Sequence, residues 1–196
     1  KDGTPKGILS KLTSPRTDRK TGQTKENMFP GPNTRWCTNE VKTAPISKYV
    51  RTFKGNIAVL LGERREESNQ RAKLEFWRPD EKLTKKDGSR TVINMSPILD
   101  ATEKEVWDRI NELGAPIHPC YEWGVKRCSC AICIFSSDTD IEVAMEHEPD
   151  LVKDYIEAEK KISHTFRYKP ATKSKPAIKE TIQDIVTRIL LKRRES

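Results

Sequence analysis

The sequence predicts an α/β fold with few strands and much helix. Three observations lead there. Two short β-branched-rich runs, Asn56–Leu61 and Thr91–Met95, read as strands; apolar residues recur at helical spacing around and after them; and Gly or Pro stands at the joins. At 196 residues the chain is long enough for one domain with a real core and short for two. Apolar residues make up 34% and charged residues another 34%, against about 25% charged in an ordinary soluble protein, so part of the length must be solvated loop or charged helix surface.

Taken in order, residues 1–34 form a polar stretch with no sustained periodicity, which reads as a flexible arm or loop. It opens at Lys1 rather than Met, so a fragment or a missing upstream segment is expected. Arg35-Trp36-Cys37-Thr38 leads into a helix from Ala44 to Phe53, with Ile46, Tyr49, Val50 and Phe53 on one side and Gly55 at its end. Asn56–Leu61 suits a buried strand, and Gly62-Glu63-Arg64-Arg65 is a cation-bearing loop at its carboxyl end. Glu66–Phe76 is expected as helix, Arg78–Arg90 as charged loop and Thr91–Met95 as the second strand. Thr102-x-x-Glu105 is a capping box, Val106, Ile110 and Leu113 form one apolar face, and Gly114 with Pro116 stops that helix. Cys120–Phe135 is a loop. A helix from Asp140, interrupted near Pro149, continues through Leu151, Tyr155, Ala158 and Ile162. A Lys/Pro linker spans Lys169–Pro176, and a last helix carries Ile178, Ile182, Ile185, Val186 and Ile189 before ending in Lys192-Arg193-Arg194.

Lys and Arg number 37 against 29 Asp and Glu, a net charge of +8. That balance favours polyanionic partners (nucleic acid, nucleotide phosphates, sulfate esters), the blander reading being solubility. The longest apolar run, Ile57–Leu61, is far short of the roughly 18 residues of a membrane span, and no secretory leader is visible. Five cysteines, three of them within Cys128-Ser129-Cys130-Ala131-Ile132-Cys133, fit metal ligation better than a disulfide framework and point to a reducing compartment, the cytoplasm. Thiolates bind zinc or iron because they are soft and anionic. Cys130-x-x-Cys133 is a common bite for one centre, with Cys37 or Cys120 able to add ligands; the competing reading is that these are small buried hydrophobes. His118 reads as a ligand, a nucleotide contact or a satisfied structural histidine, and His147 as surface. Trp107, Tyr121 and Trp123 read as core or pocket wall, Trp123 also as a base-stacking platform. Arg64, Arg65 and Arg71 sit where open α/β sheets bind ligands, and their forks suit phosphate or sulfate; the alternative is a solvated run of Glu–Arg pairs.

Four segments in order carry a resemblance: Arg35-Trp36-Cys37-Thr38 with Lys42 and Pro45; Gly62-Glu63-Arg64-Arg65-Glu66-Glu67-Ser68 with Arg71-Ala72; Pro97-Ile98 with Val106-Trp107; and His118-Pro119-Cys120-Tyr121-Glu122-Trp123-Gly124 with Arg127-Cys128-Ser129-Cys130-Ala131-Ile132-Cys133. They resemble the phosphoadenosine phosphosulfate (PAPS) reductase family over residues 29–167, and Glu159 with His164-Thr165-Phe166-Arg167 resembles a tail segment of its phage- and plasmid-borne branch.

The resemblance implies a doubly wound, mostly parallel sheet of the adenine nucleotide α-hydrolase type, truncated at the amino terminus and helical at the carboxyl end. Residues 35–168 would be that domain, and 169–196 a linker and basic amphipathic helix. It implies action on the phosphate or sulfate anhydride of an adenine nucleotide, PAPS or ATP, in sulfur transfer or reduction. Arg64, Arg65 and Arg71, with Lys42, would meet the anionic end of the nucleotide. A 4Fe–4S cluster would sit on Cys37, Cys130 and Cys133, with Cys120, Cys128 or a non-protein group as fourth ligand, because one cysteine stands where the cluster-bearing reductases have two adjacent. His164 is placed to pair with Glu159. Neither the S-G-G-x-D-S phosphate loop nor the E-C-G-L-H tail of the reductases occurs, so a second chain or an upstream segment is expected to complete the site. The rival reading is a non-catalytic, zinc-stabilised basic module that binds nucleic acid or a partner subunit.

Overall fold

The computed structural model describes residues 7–195 apart from 15, 18, 19, 26, 32, 33, 163, 170 and 172–175. Along the chain come α1 (Ile8–Thr13), β1 (Arg16–Thr17), β2 (Thr24–Lys25), α2 (Ala44–Val50), β3 (Gly55–Leu60), β4 (Trp77–Pro79), β5 (Arg90–Met95), α3 (Glu103–Leu113), α4 (Asp138–His147), α5 (Pro149–Lys161), β6 (Arg167–Lys169), β7 (Ile178–Glu180) and α6 (Ile182–Glu195). A π-helical turn, Thr38–Thr43, leads into α2, and single 3-10 turns cover Arg65–Glu67, Arg71–Lys73 and Pro119–Tyr121. The chain divides into two units, Lys1–Val41 with His118–Ser196 and Lys42–Ile117. The linker expected over 169–176 lies largely outside the described residues.

In Lys42–Ile117 the three strands run in the order β3-β5-β4. β3 pairs parallel with β5, and β4 joins the other edge antiparallel. The described strands therefore make a mixed sheet, not the doubly wound, mostly parallel one. Ile57 and Val59 of β3 pack on a small core of Val50, Leu83 and Val92, while Asn56, Ala58 and Leu60 alternate outward, as the two-residue period of a strand requires. Gly55 starts β3 at φ +81°, a conformation that costs any residue with a Cβ. Arg90 is buried, and its guanidinium donates to the carbonyls of Leu83 at 2.7 Å and Arg51 at 3.0 Å, which offsets part of the cost of burying it. The expected capping box opens α3, with the Glu105 carboxylate accepting the Thr102 N–H at 2.7 Å, and Gly114 closes it at φ +56°. Of its apolar face, Val106 and Ile110 are half-buried and Leu113 is exposed.

Three local expectations fail here for stated reasons. Glu66–Phe76 is two 3-10 turns rather than a helix, because Arg65 reaches across to the carbonyls of Ala72 and Leu74 and draws the chain back on itself. The charged stretch from Arg78 begins inside β4, where Glu63 neutralises the Arg78 guanidinium at 2.6 Å. The helix from Ala44 stops at Val50, ahead of Phe53.

The other unit packs α1, α4, α5 and α6 around Leu12, Phe29, Ile132, Ile141, Tyr155, Ile182 and Ile185, flanked by the short antiparallel pairs β1–β2 and β6–β7. The segment expected as a flexible arm supplies α1 and two core residues, Leu12 at 1% exposure and Phe29 at 3%; isolated apolar residues in a polar stretch leave no period to read. Ser137 caps α4 with Asp140, and Pro149 takes the first position of α5, where a missing N–H costs nothing. Ile178 belongs to β7 rather than the last helix, because Thr181 and Asp184 exchange side-chain bonds with each other's N–H and start α6 at Ile182. Glu159 is buried, and its carboxylate accepts the N–H of Phe166 and, at 2.8 Å, the N–H of Ile182, an orphan amide at the head of α6. A polar network closes the surface: Arg188 is bidentate to Asp138, at 2.9 Å for both bonds, and also pairs with Glu180, which Arg167 meets at 2.9 Å. No helix among the described residues is long and apolar enough to cross a membrane.

Ile185 is fully buried, so Ile185→Ala should cost about 3 kcal/mol in urea unfolding. Arg188→Ala should cost only about 1 kcal/mol, since its network is partly open to screening by solvent. The Arg188 hydrogen bonds hold the Asp138 carboxyl below the ordinary aspartate value of 3.8. The excess stability of the wild type over Asp138→Asn should therefore be complete above that value and disappear as pH falls through the depressed native one, which urea midpoints measured down to acid pH will show.

Candidate functional site

The cysteine loop is held at several points by its own backbone. Pro119 opens a 3-10 turn, and the His118 ring nitrogen Nδ1 accepts the Cys120 N–H at 3.2 Å. Gly124, at φ +88°, reverses the chain so that the Val125 N–H reaches the Cys120 carbonyl at 3.1 Å. Ile132, 3% exposed, plugs into the core between Cys130 and Cys133. The Ser136 N–H then returns to the Cys133 carbonyl at 2.9 Å, the Arg167 guanidinium holds the Ser136 carbonyl, and Ser137 begins α4.

None of the five cysteines is in a disulfide. Among the described residues, one group of three His, Cys or carboxylate ligand atoms lies within 4.8 Å of one another: His118, Cys120 and Cys128. Burial pushes the Cys120 thiol up, and the hydrogen bond and charge of Cys128 push the same way. Cys37, Cys130 and Cys133 are half-buried. Burial raises the Tyr155 pKa, and the charges of Cys130, Cys133 and Cys37 raise it further. Of the five cysteines named from the sequence, Cys120 and Cys128 thus group with His118. Tyr155 had no signal beyond its place on the apolar face of a helix, whereas His118 stood beside the cysteine loop as a ligand, a nucleotide contact or a structural histidine.

A cavity of about 260 Å³ adjoins the loop, lined in part by His118, Cys120, Trp123, Cys130, Asp140 and His147. Trp123 is its wall, as the sequence suggested, and His147 is stacked flat on the indole with centroids 4.2 Å apart and planes 7° off parallel. His164 does not pair with Glu159, whose oxygens are taken by backbone amides; its Nδ1 is buried without a hydrogen-bond partner among the described residues, and burial lowers its pKa.

Arg64, Arg65, Arg71 and Lys42 belong to the other unit. Each guanidinium already has carboxylates. Arg64 pairs with Glu66 and, at 3.8 Å, with Glu67; Arg71 pairs with Glu67 and, at 4.0 Å, with Glu63. Arg65 bonds Asp100 at 2.5 Å as well as the two carbonyls of its loop. Glu66 also accepts the Glu103 N–H at 2.7 Å, at the head of α3. The loop is an interlocked set of Glu–Arg pairs, the alternative raised from its sequence, and Lys42 is exposed on the π-helical turn.

Comparison with known proteins follows the same stretch of chain. The chain is similar to an uncharacterised protein of Methanocaldococcus jannaschii, 27% identical over 136 residues that cover 69% of this chain and 31% of that protein. It is also similar to the adenosine 5'-phosphosulfate reductases of Neisseria meningitidis serogroups A and B, each 31% identical over 99 residues, half of this chain and 36% of theirs. The chain spans about a third of the length of these relatives. No solved structure matches it. The family model described as phosphoadenosine phosphosulfate reductase domain matches residues 10–136, taking in the arginine loop and the cysteine loop alike. With that match covering more than half of its 196 residues, the chain belongs to the phosphoadenosine phosphosulfate reductase domain family.

Proposed function

We propose that this chain carries the arginine- and cysteine-bearing part of an enzyme that acts on the sulfate or phosphate anhydride of an adenine nucleotide in sulfur reduction or transfer. The family match carries the reading, because residues 10–136 hold every cysteine and the whole Arg64–Arg71 loop. The metal centre this reading calls for is a 4Fe–4S cluster on Cys37, Cys130 and Cys133. The donors fit it in kind: Cys37, Cys130 and Cys133 are free of disulfides, half-buried and offer the soft thiolate sulfur that such clusters take. When bound, such a cluster supplies electrons or positive potential for sulfur chemistry.

The chain's own residues do the rest. Tyr155 keeps its proton, since burial and the charges of Cys130, Cys133 and Cys37 all oppose the phenolate. Arg64 and Arg71 hold the anionic end of the nucleotide, exchanging their glutamate partners for phosphate or sulfate oxygens of similar geometry. Arg65 keeps the loop in shape, and Lys42 adds a cation.

Purified without oxygen, the chain should contain iron and acid-labile sulfide, and Cys133→Ser should lose both; a folded, colourless, iron-free wild type overturns the cluster. Calorimetric titration with PAPS and ATP should show binding that Arg71→Ala weakens by about tenfold or more. Arg65→Ala should instead lower thermal stability. Salt-sensitive nucleic-acid binding without nucleotide affinity would select the basic-module reading.

A further inference from the structure

We infer that His118, Cys120 and Cys128 form a separate site for a single zinc-type divalent ion. The inference rests on the cysteine loop alone and stands whether or not the cluster reading does. Two thiolates and an imidazole are the donor set of a soft-to-borderline ion, and hard ions such as magnesium or calcium, which take oxygen ligands, are excluded by it. On a tetrahedral zinc with Zn–S near 2.3 Å, two thiolates stand about 3.8 Å apart. The three ligand atoms here already lie within 4.8 Å of one another, so small side-chain rotations close the site.

The loop is shaped for this convergence. The 3-10 turn at Pro119–Tyr121 and the reversal at Gly124 fold the chain so that Cys128 returns to His118 and Cys120. The Nδ1 lone pair of His118 now takes only the 3.2 Å bond from the Cys120 amide, and a metal at Nδ1 replaces that bond. His118 and Cys120 both line the cavity of about 260 Å³, which gives the ion a way in and leaves its fourth position open to water or a sulfur ligand. Cys120 and Cys128 are then committed to this ion, and the fourth ligand of the proposed cluster is not a protein cysteine.

The test is to grow the full chain with zinc, purify it anaerobically, and quantify zinc and iron together in the wild type, Cys128→Ser, His118→Ala, Cys120→Ser and Cys37→Ser. Because Cys120 is buried and its substitution risks misfolding, the other variants, checked by circular dichroism, carry the decision. Expected is one zinc per chain in the wild type and in Cys37→Ser, with most of it lost in Cys128→Ser and His118→Ala while their iron is unchanged. Zinc with no iron in the wild type supports this site and removes the cluster instead. A zinc-free wild type, full zinc in both Cys128→Ser and His118→Ala, iron lost in Cys128→Ser, or a Cys120–Cys128 disulfide in the native chain each overturns the assignment.

Discussion

A buried carboxylate organises the larger unit. Glu159 brings the end of α5, the Phe166 segment and the start of α6 to one point by accepting two backbone amides that have no other partner there. Burial holds its carboxyl above the ordinary glutamate value, and the two amides offset only part of that rise. Without that acceptor, α6 would begin with a buried, unsatisfied N–H, a penalty of roughly 1–3 kcal/mol. α5 presents Tyr155 one turn before Glu159, on the face that meets the core. How the phenol sits in that core is therefore set in part by how α5 is pinned at its far end.

Much of this architecture was legible because it is written in local chemistry. Thr102 with Glu105, Gly114, the β-branched run in β3 and the break at Pro149 each act within a few residues, and each appears where its chemistry places it. What escaped depends on partners far along the chain. Arg65 turns an expected helix into a clamp by bonding carbonyls that no periodicity announces. Leu12 and Phe29 reach the core from a stretch with no pattern, and the pairing of Asp138 with Arg188 spans fifty residues. At the site, composition marked the cysteines as a class, but the meeting of Cys120 and Cys128 with His118 follows from the loop's path around Gly124. The charge run from Glu63 to Arg71 was ambiguous as a string, because alternating signs serve a solvated face and an anion site equally well. The structure shows the pairs formed.

Arg65 also limits how this loop can change. Its planar group serves one carboxylate and two carbonyls at once, pointing in different directions within a single plane. A lysine there keeps the charge but offers one compact head, which cannot reproduce that fan of donors. Replacement by the nominally similar residue would thus leave the backbone between Ala72 and Leu74 without its tether, and homologues free to carry lysine at this point must secure the same turn by some other means.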